Sequence, residues 1–273
     1  MPSGPIARLT APAKLTWALR VVGVRPDGYH LLDAEMLTLD LADELTIGER
    51  DDGRSSLTVD GPFADGVPTD DSNLVHKALR IAGRGADVHL VKRIPNGGGL
   101  GGGSADAAAV LRWAGIDDPL AAVAVGADVP FCVVGGRARV SGIGEVVEPL
   151  DPVERAVTLV VPPMHVSTPA VYRAWDRLAP TSGLRNDLEP AALVVAPELV
   201  GWRDRIVELS GVVPVLAGSG ATWFVEGDLV DALSSLRAAG ATVVNARSAP
   251  PVIGGPAVHP GGPPGLRCAS DLG

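Results

Sequence analysis

The most informative stretch of the sequence is PNGGGLGGGS, which runs from Pro95 to Ser104. Six of the seven residues from Gly97 to Gly103 are glycine, so almost no Cβ atom obstructs the backbone N–H groups. The segment before it, Asp87–Ile94, predicts a strand, and the alanine-rich segment after it, Ala105–Ala114, predicts a helix. Free N–H groups at the start of a helix, aided by the helix dipole, bind anions. We therefore predict a phosphate-binding loop here, in preference to a merely flexible loop.

The glycine stretch matches neither of two common phosphate loops well. Its residues Gly97–Gly102 satisfy the dinucleotide pattern GxGxxG, but almost any run of glycines would. A dinucleotide fold also has this turn after its first strand, whereas several predicted strands precede it here. Gly98 and Gly103 have the spacing of a P-loop, yet Ser104 stands where the P-loop lysine belongs. A phosphate loop without its own lysine needs a positive charge from another part of the chain.

Lysine is rare in this chain, in which Lys14, Lys77 and Lys92 stand against 20 arginines. Lys92 comes just before the glycine stretch, where a surface position and a phosphate contact are equally open interpretations. Lys77 lies on a predicted helix and is expected to be solvated. Lys14 precedes the first long predicted strand, Leu15–Val24, and by itself would be interpreted as an exposed lysine at a strand end.

The overall composition excludes several classes of protein. With 46% hydrophobic and 20% charged residues, the chain is too apolar for a disordered solvating polypeptide. Two cysteines, Cys132 and Cys268, cannot build a disulfide framework or a structural zinc site. The net charge of −9 argues against a general nucleic-acid binder, although it leaves room for a local basic pocket. The apolar stretches are too short to span a membrane and the N-terminus lacks an export signal, so we expect a cytoplasmic protein.

The pattern of elements predicts an α+β protein of two domains followed by a tail. The N-terminal domain, residues 1–151, has predicted strands at Leu15–Val24, Glu35–Leu41, Glu44–Gly48, Arg137–Ser141 and Glu145–Pro149, and a helix at Asn73–Ile81 that Asp71 or Ser72 would cap. The C-terminal domain, residues 152–247, has predicted strands at Ala156–Val161, Thr222–Val225 and Ala241–Asn245, and helices at Pro169–Leu178, Pro190–Leu209 and Leu229–Ala239. Residues 248–273 hold six glycines and six prolines without hydrophobic periodicity, which predicts a loosely ordered tail.

Three separated segments together resemble the motifs of the GHMP kinases, a family of small-molecule kinases. They are APAKL at Ala11–Leu15, the glycine stretch with its following alanine at Pro95–Ala105, and AGSGAT at Ala217–Thr222. Four more segments are similar to one branch of the family, namely Arg25–His30, Gly126–Phe131, Ser167–Tyr172 and Asn186–Glu189. The resemblance implies a two-domain GHMP kinase fold, with a ribosomal protein S5 domain 2-like N-terminal domain and a ferredoxin-like α/β-plait C-terminal domain.

The branch in question uses ATP and Mg²⁺ to phosphorylate the 2-hydroxyl of 4-diphosphocytidyl-2-C-methylerythritol in the non-mevalonate isoprenoid pathway. The resemblance thus implies a small-molecule substrate and neither a nucleic-acid nor a membrane partner. It assigns catalysis to Asp128, which would orient or deprotonate the acceptor hydroxyl, and to Lys14, which would keep Asp128 ionised and offset phosphoryl charge. Without the resemblance, Asp128 would be an ordinary turn aspartate before a predicted apolar strand at Val129–Val134.

The resemblance also assigns binding residues for both ligands. Those implied for ATP are Asn73, Lys92, Pro95, Asn96, Gly97, Gly98, Gly99, Leu100, Gly101, Gly102, Gly103 and Ser104, with Ser104 also the implied Mg²⁺ ligand. Those implied for the substrate are Thr16, Tyr29, His30, Thr168, Tyr172, Gly218 and Ser219. His30 would read the cytosine edge between Tyr29 and Tyr172, the only two tyrosines of the chain. By residue type alone, Asn73 would cap a helix and Thr168 would precede one.

The sequence departs from the family pattern in three ways. Thr16 stands where asparagine is usual and cannot reproduce the hydrogen bonds of an amide, and Asp33 stands where threonine is usual. The interval between Ser104 and Asp128 is predicted to be too short for two full helices and a loop. Such changes leave open another GHMP kinase acting on homoserine, mevalonate or a sugar, a catalytically silent nucleotide-binding relative and, more distantly, a dinucleotide-binding oxidoreductase.

Overall fold

The computed structural model describes residues 6–178 and 183–252 of the chain. Its strands form two sheets. The first sheet contains β1 (Ile6–Val24), β2 (His30–Arg50), β3 (Ser56–Asp60), β4 (Gly85–Val91), β5 (Arg137–Gly142) and β6 (Val146–Pro149). The second contains β7 (Ala156–Val161), β8 (Val215–Leu216), β9 (Trp223–Glu226) and β10 (Thr242–Arg247). The helices are α1 (Leu74–Ala82), α2 (Gly102–Ala114), α3 (Pro119–Val125), α4 (Val129–Val134), α5 (Thr168–Trp175), α6 (Glu189–Val195), α7 (Glu198–Ser210) and α8 (Val230–Leu233), with a 3₁₀ helix at Ser234–Ala239.

The first sheet is organised around the long strand β2. This strand pairs with β1 along most of its length, with β4 through its second half and with β5 through its first half. The strand order is β3-β4-β2-β5-β6, and all pairs are antiparallel except β3 with β4. The last strand of this sheet ends at Pro149 and the first strand of the second sheet begins at Ala156. The predicted division at residues 151 and 152 falls between them and, as a domain boundary, stays a prediction.

The second sheet has the order β10-β7-β9-β8 and is antiparallel throughout. Along the chain, helices α5 to α7 join β7 to β8, and α8 with the 3₁₀ helix joins β9 to β10. This β-α-β-β-α-β succession is that of the ferredoxin-like plait. The predicted α+β class, with a plait in the C-terminal half, is therefore confirmed.

Helix α2 lies at the centre of the larger hydrophobic core. Its alanines Ala105, Ala107, Ala108 and Ala109 are fully buried, and small side chains allow the helix to pack closely on β1, α1 and α4. A second cluster joins the two sheets, where Leu15 and Leu37 of the first sheet pack with residues of β7. Because α2 begins within the glycine stretch, its packing also fixes the end of that stretch.

Several predicted elements are corrected by pairing across the sheet. The two strands predicted at Glu35–Leu41 and Glu44–Gly48 are one strand, β2, because Pro12 and Ala11 of β1 pair with Ala42 and Asp43 and carry the ladder through the interval. The predicted helix Pro190–Leu209 is divided into α6 and α7 at Pro197, which cannot donate a helical hydrogen bond. The predicted helix Leu229–Ala239 is α8 followed by the 3₁₀ helix.

The segment between the glycine stretch and Asp128 also differs from its prediction. It holds both α2 and α3, because a turn of only four residues separates them and Asp118 caps α3 through the N–H groups of Leu120 and Ala121. The predicted strand Val129–Val134 is the helix α4. A short apolar run has no periodicity that distinguishes a buried strand from a buried helix, so this prediction was wrong.

The predicted tail begins as an ordered segment. The Ser248 hydroxyl accepts a hydrogen bond from the N–H of Arg155, and the N–H of Ala249 donates to the carbonyl of Thr38 at 2.8 Å. Residues 248 and 249 are thus hydrogen-bonded to Thr38 of β2 and to Arg155, the residue before β7, which corrects the prediction for this start of the tail. Residues 253–273 lie outside the described residues. Among the helices that the structure describes, none is long and apolar enough to cross a membrane.

Candidate active site

The three motif segments meet at one place. The backbone N–H of Lys14 donates to the carbonyl of Leu100 at 2.9 Å, which ties β1 to the glycine stretch. The N–H of Thr222 donates to the carbonyl of Gly98 at 3.3 Å, which ties the third segment to the other end of the same stretch. A Cβ atom on Gly99 would lie 2.7 Å from the carbonyl oxygen of Ala217, so the two backbones approach too closely for any side chain. The stretch is therefore held from both sides as a rigid loop.

The loop leads directly into α2. Gly101 adopts the left-handed conformation with φ +69° and is the N-terminal boundary residue of the helix, which begins at Gly102 instead of the predicted Ala105. The N–H groups of Gly102, Gly103 and Ser104 consequently belong to the first helical turn, where they have no helical acceptor. These groups, with the positive end of the helix dipole, form an anion site at the start of α2.

Lys14 and Asp128 form an ion pair beside this anion site. The Lys14 ammonium lies 3.1 Å from Oδ2 of Asp128, and the lysine is 5% exposed whereas the aspartate side chain is 33% exposed. Asp128 directly precedes α4 and so lies at the positive end of that helix. Its predicted position before a strand is thereby corrected to a position before a helix. The lysine side chain passes so close to the loop that a Cβ atom on Gly101 would lie 2.7 Å from its Cγ. The loop thus receives its positive charge from β1.

Thr16 supports the lysine. Its buried hydroxyl accepts a hydrogen bond from the Lys14 ammonium at 3.1 Å. Thr16 and Lys14 point to the same side of β1 because they are two residues apart on a strand. The hydroxyl therefore already accepts a hydrogen bond from Lys14, and a direct contact of Thr16 with the substrate stays a prediction.

Lys92 is buried and paired inside the protein, and its predicted contact with ATP stays a prediction. It is 2% exposed, and its ammonium is held between the carboxylates of Asp43, in a short contact, and Asp106, at 2.8 Å. Burial by itself lowers the pKa of Lys92, but the charges of Asp106 and Asp43 outweigh burial and raise it. Lys92 lies beneath the loop, where its Nζ would be 3.1 Å from a Cβ atom on Gly102. The side chain therefore supports the loop from inside the protein.

The asparagines predicted for ATP have structural partners. Asn73, and not Asp71 or Ser72, caps α1, because its side-chain oxygen accepts from the N–H of Val75 at 2.9 Å. Its amide donates to the carbonyl of Pro68 at 2.8 Å. The amide of Asn96 donates to the carbonyl of Phe63, in a short contact. These contacts anchor both residues near the loop, and their contact with ATP stays a prediction.

Four of the seven predicted substrate residues line a cavity of about 390 Å³. Its lining includes Tyr29, His30, Thr168 and Tyr172. The rings of His30 and Tyr172 have centroids 4.6 Å apart. Tyr29 is exposed and lies in the turn between β1 and β2. Ala127, which precedes Asp128, lines the same cavity. Burial raises the pKa of Tyr172, and the negative charge of Asp128 raises it further. The charge of Asp128 therefore acts on the lining of this cavity.

The third motif segment closes the space between the two sites. The Thr168 and Ser219 hydroxyl oxygens are 2.7 Å apart, so α5 and the turn at Ala217–Gly220 are joined there. Gly218 lies beside the lysine, because a Cβ atom there would be 4.0 Å from Lys14 Nζ. The structure therefore brings Lys14, Asp128, the loop and the cavity residues into one continuous site.

Two residues of the site carried no sequence prediction of a role. Asn186 is buried, and its amide donates to the carbonyls of Leu216 and Gly218 at 2.8 and 2.7 Å, which fixes the turn beside Lys14. Its position in the Asn186–Glu189 segment was a usable signal. Asp176 contacts His30 across 146 positions of sequence, and no local pattern marks it.

Lys77, predicted to be solvated, instead donates to the carbonyl of Val125 at 2.9 Å.

Comparisons with known proteins agree with this site. The family model of the GHMP kinases N terminal domain matches residues 73–136, which contain the loop and Asp128. A 4-diphosphocytidyl-2-C-methyl-D-erythritol kinase of Paracoccus denitrificans is 40% identical over 238 residues, covering 80% of this chain and 85% of the relative. The enzyme of the same name from Cutibacterium acnes is 36% identical over 255 residues, covering 77% of this chain and 82% of the relative.

Solved structures extend the comparison to three dimensions. A crystal structure of 4-(cytidine 5'-diphospho)-2C-methyl-D-erythritol kinase superposes with a TM-score of 0.70 at 33% identity, covering 89% of this chain and 100% of the other. A mevalonate kinase of Methanococcus jannaschii has a TM-score of 0.60 at 12% identity, covering 91% and 100%, and shares the fold alone. By its sequence relatives and by its fold, the chain belongs to the 4-diphosphocytidyl-2-C-methyl-D-erythritol kinase family of the GHMP kinases.

Proposed function

We propose that this protein transfers the γ-phosphoryl group of ATP to the 2-hydroxyl of 4-diphosphocytidyl-2-C-methyl-D-erythritol, in the non-mevalonate isoprenoid pathway. The observation that carries the proposal is the ion pair of 3.1 Å between Lys14 and Asp128, with the anion site on one side and the aromatic cavity on the other. Phosphoryl transfer requires mainly the alignment of donor and acceptor and the stabilisation of charge. This arrangement supplies both.

The donor side of the site is formed by backbone. ATP phosphates bind the free N–H groups at the start of α2, and the glycines allow the closest approach because they lack side chains. The lysine that a P-loop would carry within its own sequence is here Lys14, which reaches the loop from β1 past Gly101. This explains how a chain with a net charge of −9 binds a polyphosphate.

The acceptor side depends on Asp128. Its partly exposed carboxylate accepts the proton of the 2-hydroxyl, while that oxygen forms a bond to the γ-phosphorus and the bond to the bridging oxygen of ADP breaks. Lys14, paired with Asp128, stabilises the negative charge on the phosphoryl oxygens. The cytidine half of the substrate occupies the cavity of Tyr29, His30 and Tyr172, whose aromatic rings suit stacking on a base.

The residues at the start of α2 also fit a magnesium ion that arrives with the nucleotide. Mg²⁺ is usually held by one or two protein oxygens together with phosphate oxygens and water. Ser104 supplies a hydroxyl oxygen in the first turn of α2, next to the anion site. Bound there, Mg²⁺ would neutralise charge on the phosphate oxygens.

A substrate panel tests the proposed function. The purified full chain is given Mg-ATP with 4-diphosphocytidyl-2-C-methyl-D-erythritol, homoserine or mevalonate, and ADP release is followed. We expect turnover with the first compound and background release with the other two. Preference for homoserine or mevalonate would support another GHMP kinase activity, and ATP binding without turnover of any compound would support a silent relative.

The role of Asp128 is tested by Asp128→Asn. Removing the proton acceptor should lower kcat by about 10²- to 10⁴-fold, with ATP binding largely retained. The exposed Asp117 in the turn between α2 and α3 gives a matched control, Asp117→Asn, which should behave as the unmodified protein. Near-normal turnover of Asp128→Asn would remove this residue from the mechanism.

A further inference from the structure

The imidazole of His30 has a charged partner outside the motif segments. Its Nε2 lies 2.7 Å from Oδ1 of Asp176. A carboxylate accepts hydrogen bonds and does not donate them, so the proton of this contact belongs to Nε2. The His30 side chain is 10% exposed and the Asp176 side chain is 45% exposed, which puts the ring inside the cavity and the carboxylate at its rim.

The same helix that carries the carboxylate also orients the ring. Tyr172 lies against His30 with ring centroids 4.6 Å apart, and Trp175 presents its ring at 86° with centroids 5.6 Å apart. Both belong to α5, and Asp176 directly follows it. Three side chains from a single helix therefore hold one imidazole in one orientation.

Helix stability does not explain the position of Asp176. A carboxylate just beyond the C-terminal end of a helix faces the negative end of the helix dipole, which is unfavourable. A contact to a carboxylate that is 45% exposed also contributes little to the stability of the fold. The carboxylate is better explained by what it does to the ring of His30.

An imidazole that carries one proton, on Nε2 and donated to Asp176, offers Nδ1 as an acceptor. Within residues 6–178 and 183–252, the hydrogen bonds of the His30 ring are made through Nε2 alone, so Nδ1 is available to a ligand. Cytosine presents an exocyclic amino donor on its pairing edge, whereas uracil presents a carbonyl oxygen at the same position. An acceptor nitrogen forms a hydrogen bond with the first base and opposes the second.

We propose that Asp176 is a positioning residue that fixes the tautomer of His30 and thereby makes the cavity select cytosine over uracil. The inference rests on the proposed function for the presence of a cytidine group in this cavity. It adds the chemical reason why a pyrimidine of the right size but with the wrong edge is rejected.

Binding of cytidine diphosphate and uridine diphosphate to the full chain tests this inference. Calorimetry is carried out with saturating ADP present, so that the ATP site is occupied and only the base cavity is measured. The unmodified protein should prefer cytidine diphosphate by at least about tenfold. Equal affinity for the two nucleotides would overturn the inference. Because no turnover is needed, a protein that discriminates here but fails in the kinase assay would contradict the proposed function alone.

Variants of Asp176 test the cause of the selection. Asp176→Leu removes the acceptor and should lose about tenfold of the preference, whereas Asp176→Asn retains an acceptor oxygen and should keep most of it. The exposed Asp204 on α7 supplies the matched control, Asp204→Leu, which should keep the full preference. An undiminished preference in Asp176→Leu, or an equal loss in Asp204→Leu, would overturn the role of Asp176.

The tautomer itself can be observed. In protein labelled with ¹⁵N-histidine, with the signals of His30 identified by their loss in His30→Gln, Nε2 should be the protonated nitrogen and Nδ1 the bare one. Asp176→Leu should shift the His30 signals toward a mixture of tautomers. A His30 ring protonated on Nδ1 in the unmodified protein would overturn the inference whatever the binding result.

Discussion

The ammonium nitrogen of Lys14 lies 3.1 Å from the buried hydroxyl oxygen of Thr16. The same nitrogen lies 3.1 Å from Oδ2 of Asp128. The resemblance to the family implies asparagine at the position of Thr16. The hydroxyl nevertheless provides an acceptor for a buried cation. The ammonium therefore keeps two oxygen partners, and its direction toward Asp128 is determined by both.

Replacing Thr16 with valine should impair catalysis more than folding. Valine has nearly the shape of threonine but accepts no hydrogen bond, so Lys14 loses one of its two oxygen partners. We expect kcat to fall about tenfold and the free energy of unfolding to fall by about 1 kcal/mol, with the KM for ATP little changed. Thr16→Ser keeps the hydroxyl and should restore most of kcat. Equal activities of the valine and serine variants would contradict this account.

Adding a methyl group at Gly101 should destabilise the protein, whereas adding one at Gly103 should not. Gly101 has φ +69° and its Cβ would meet Lys14 Cγ at 2.7 Å, while the nearest atom to a Cβ on Gly103 is Leu74 Cδ1 at 3.8 Å. Gly101→Ala should lower the free energy of unfolding by about 1–3 kcal/mol. Gly103→Ala, within a helical turn, should raise it by up to about 1 kcal/mol. Urea unfolding of both variants measures the difference, and similar values would argue against the close approach.

Removing the charge of Lys92 should be far more damaging than removing that of its neighbour. Lys92→Met leaves the carboxylates of Asp43 and Asp106 buried without a cation, which should cost about 3–5 kcal/mol of unfolding free energy. Arg93→Met is the matched control, because Arg93 and its partner Glu44 are half-exposed and such pairs contribute about 0–1 kcal/mol. A loss below 1 kcal/mol in Lys92→Met would show that the cluster does not support the fold.

The same cluster should give the protein a distinctive pH dependence. Burial raises the pKa of Asp106 to about 7, an effect that Lys92 offsets only in part, and its Oδ1 is buried without a hydrogen-bond partner in the described structure. Between an unfolded pKa of about 4 and this value, the folded protein binds more protons at Asp106 than the unfolded chain does. This group therefore makes stability fall as the pH rises from about 4 to 7.

Asp106→Asn removes that titration. Its unfolding free energy, measured in urea at intervals from pH 4 to 7, should fall less steeply than that of the unmodified protein, whereas the matched surface variant Asp117→Asn should keep the original slope. An unchanged slope in Asp106→Asn would mean that Asp106 titrates as an ordinary exposed carboxyl.

Predictions from the sequence succeeded where the signal was contiguous. The strand, loop and helix around Pro95–Ser104 were predicted from their own residues, because glycine content, apolar periodicity and alanine content are local properties. The boundaries were less accurate, since α2 begins three residues before the predicted Ala105, inside the glycines. Val129–Val134 was misassigned because six apolar residues carry no period; in the structure they form a helix that packs against α2 and α3.

The sequence by itself determined the family of the chain, because the order of the motifs and their residue types can be read without knowing which residues are in contact. Only the tertiary structure decided which charges reach the site. Lys92 meets Asp43 across 49 positions, and His30 meets Asp176 across 146. The first contact holds Lys92 in the interior beneath the loop, and the second gives His30 a partner that no motif contains. Such pairs depend on which strands and helices pack together, and the free energy that selects them comes from burial and desolvation of the whole domain, not from neighbouring residues.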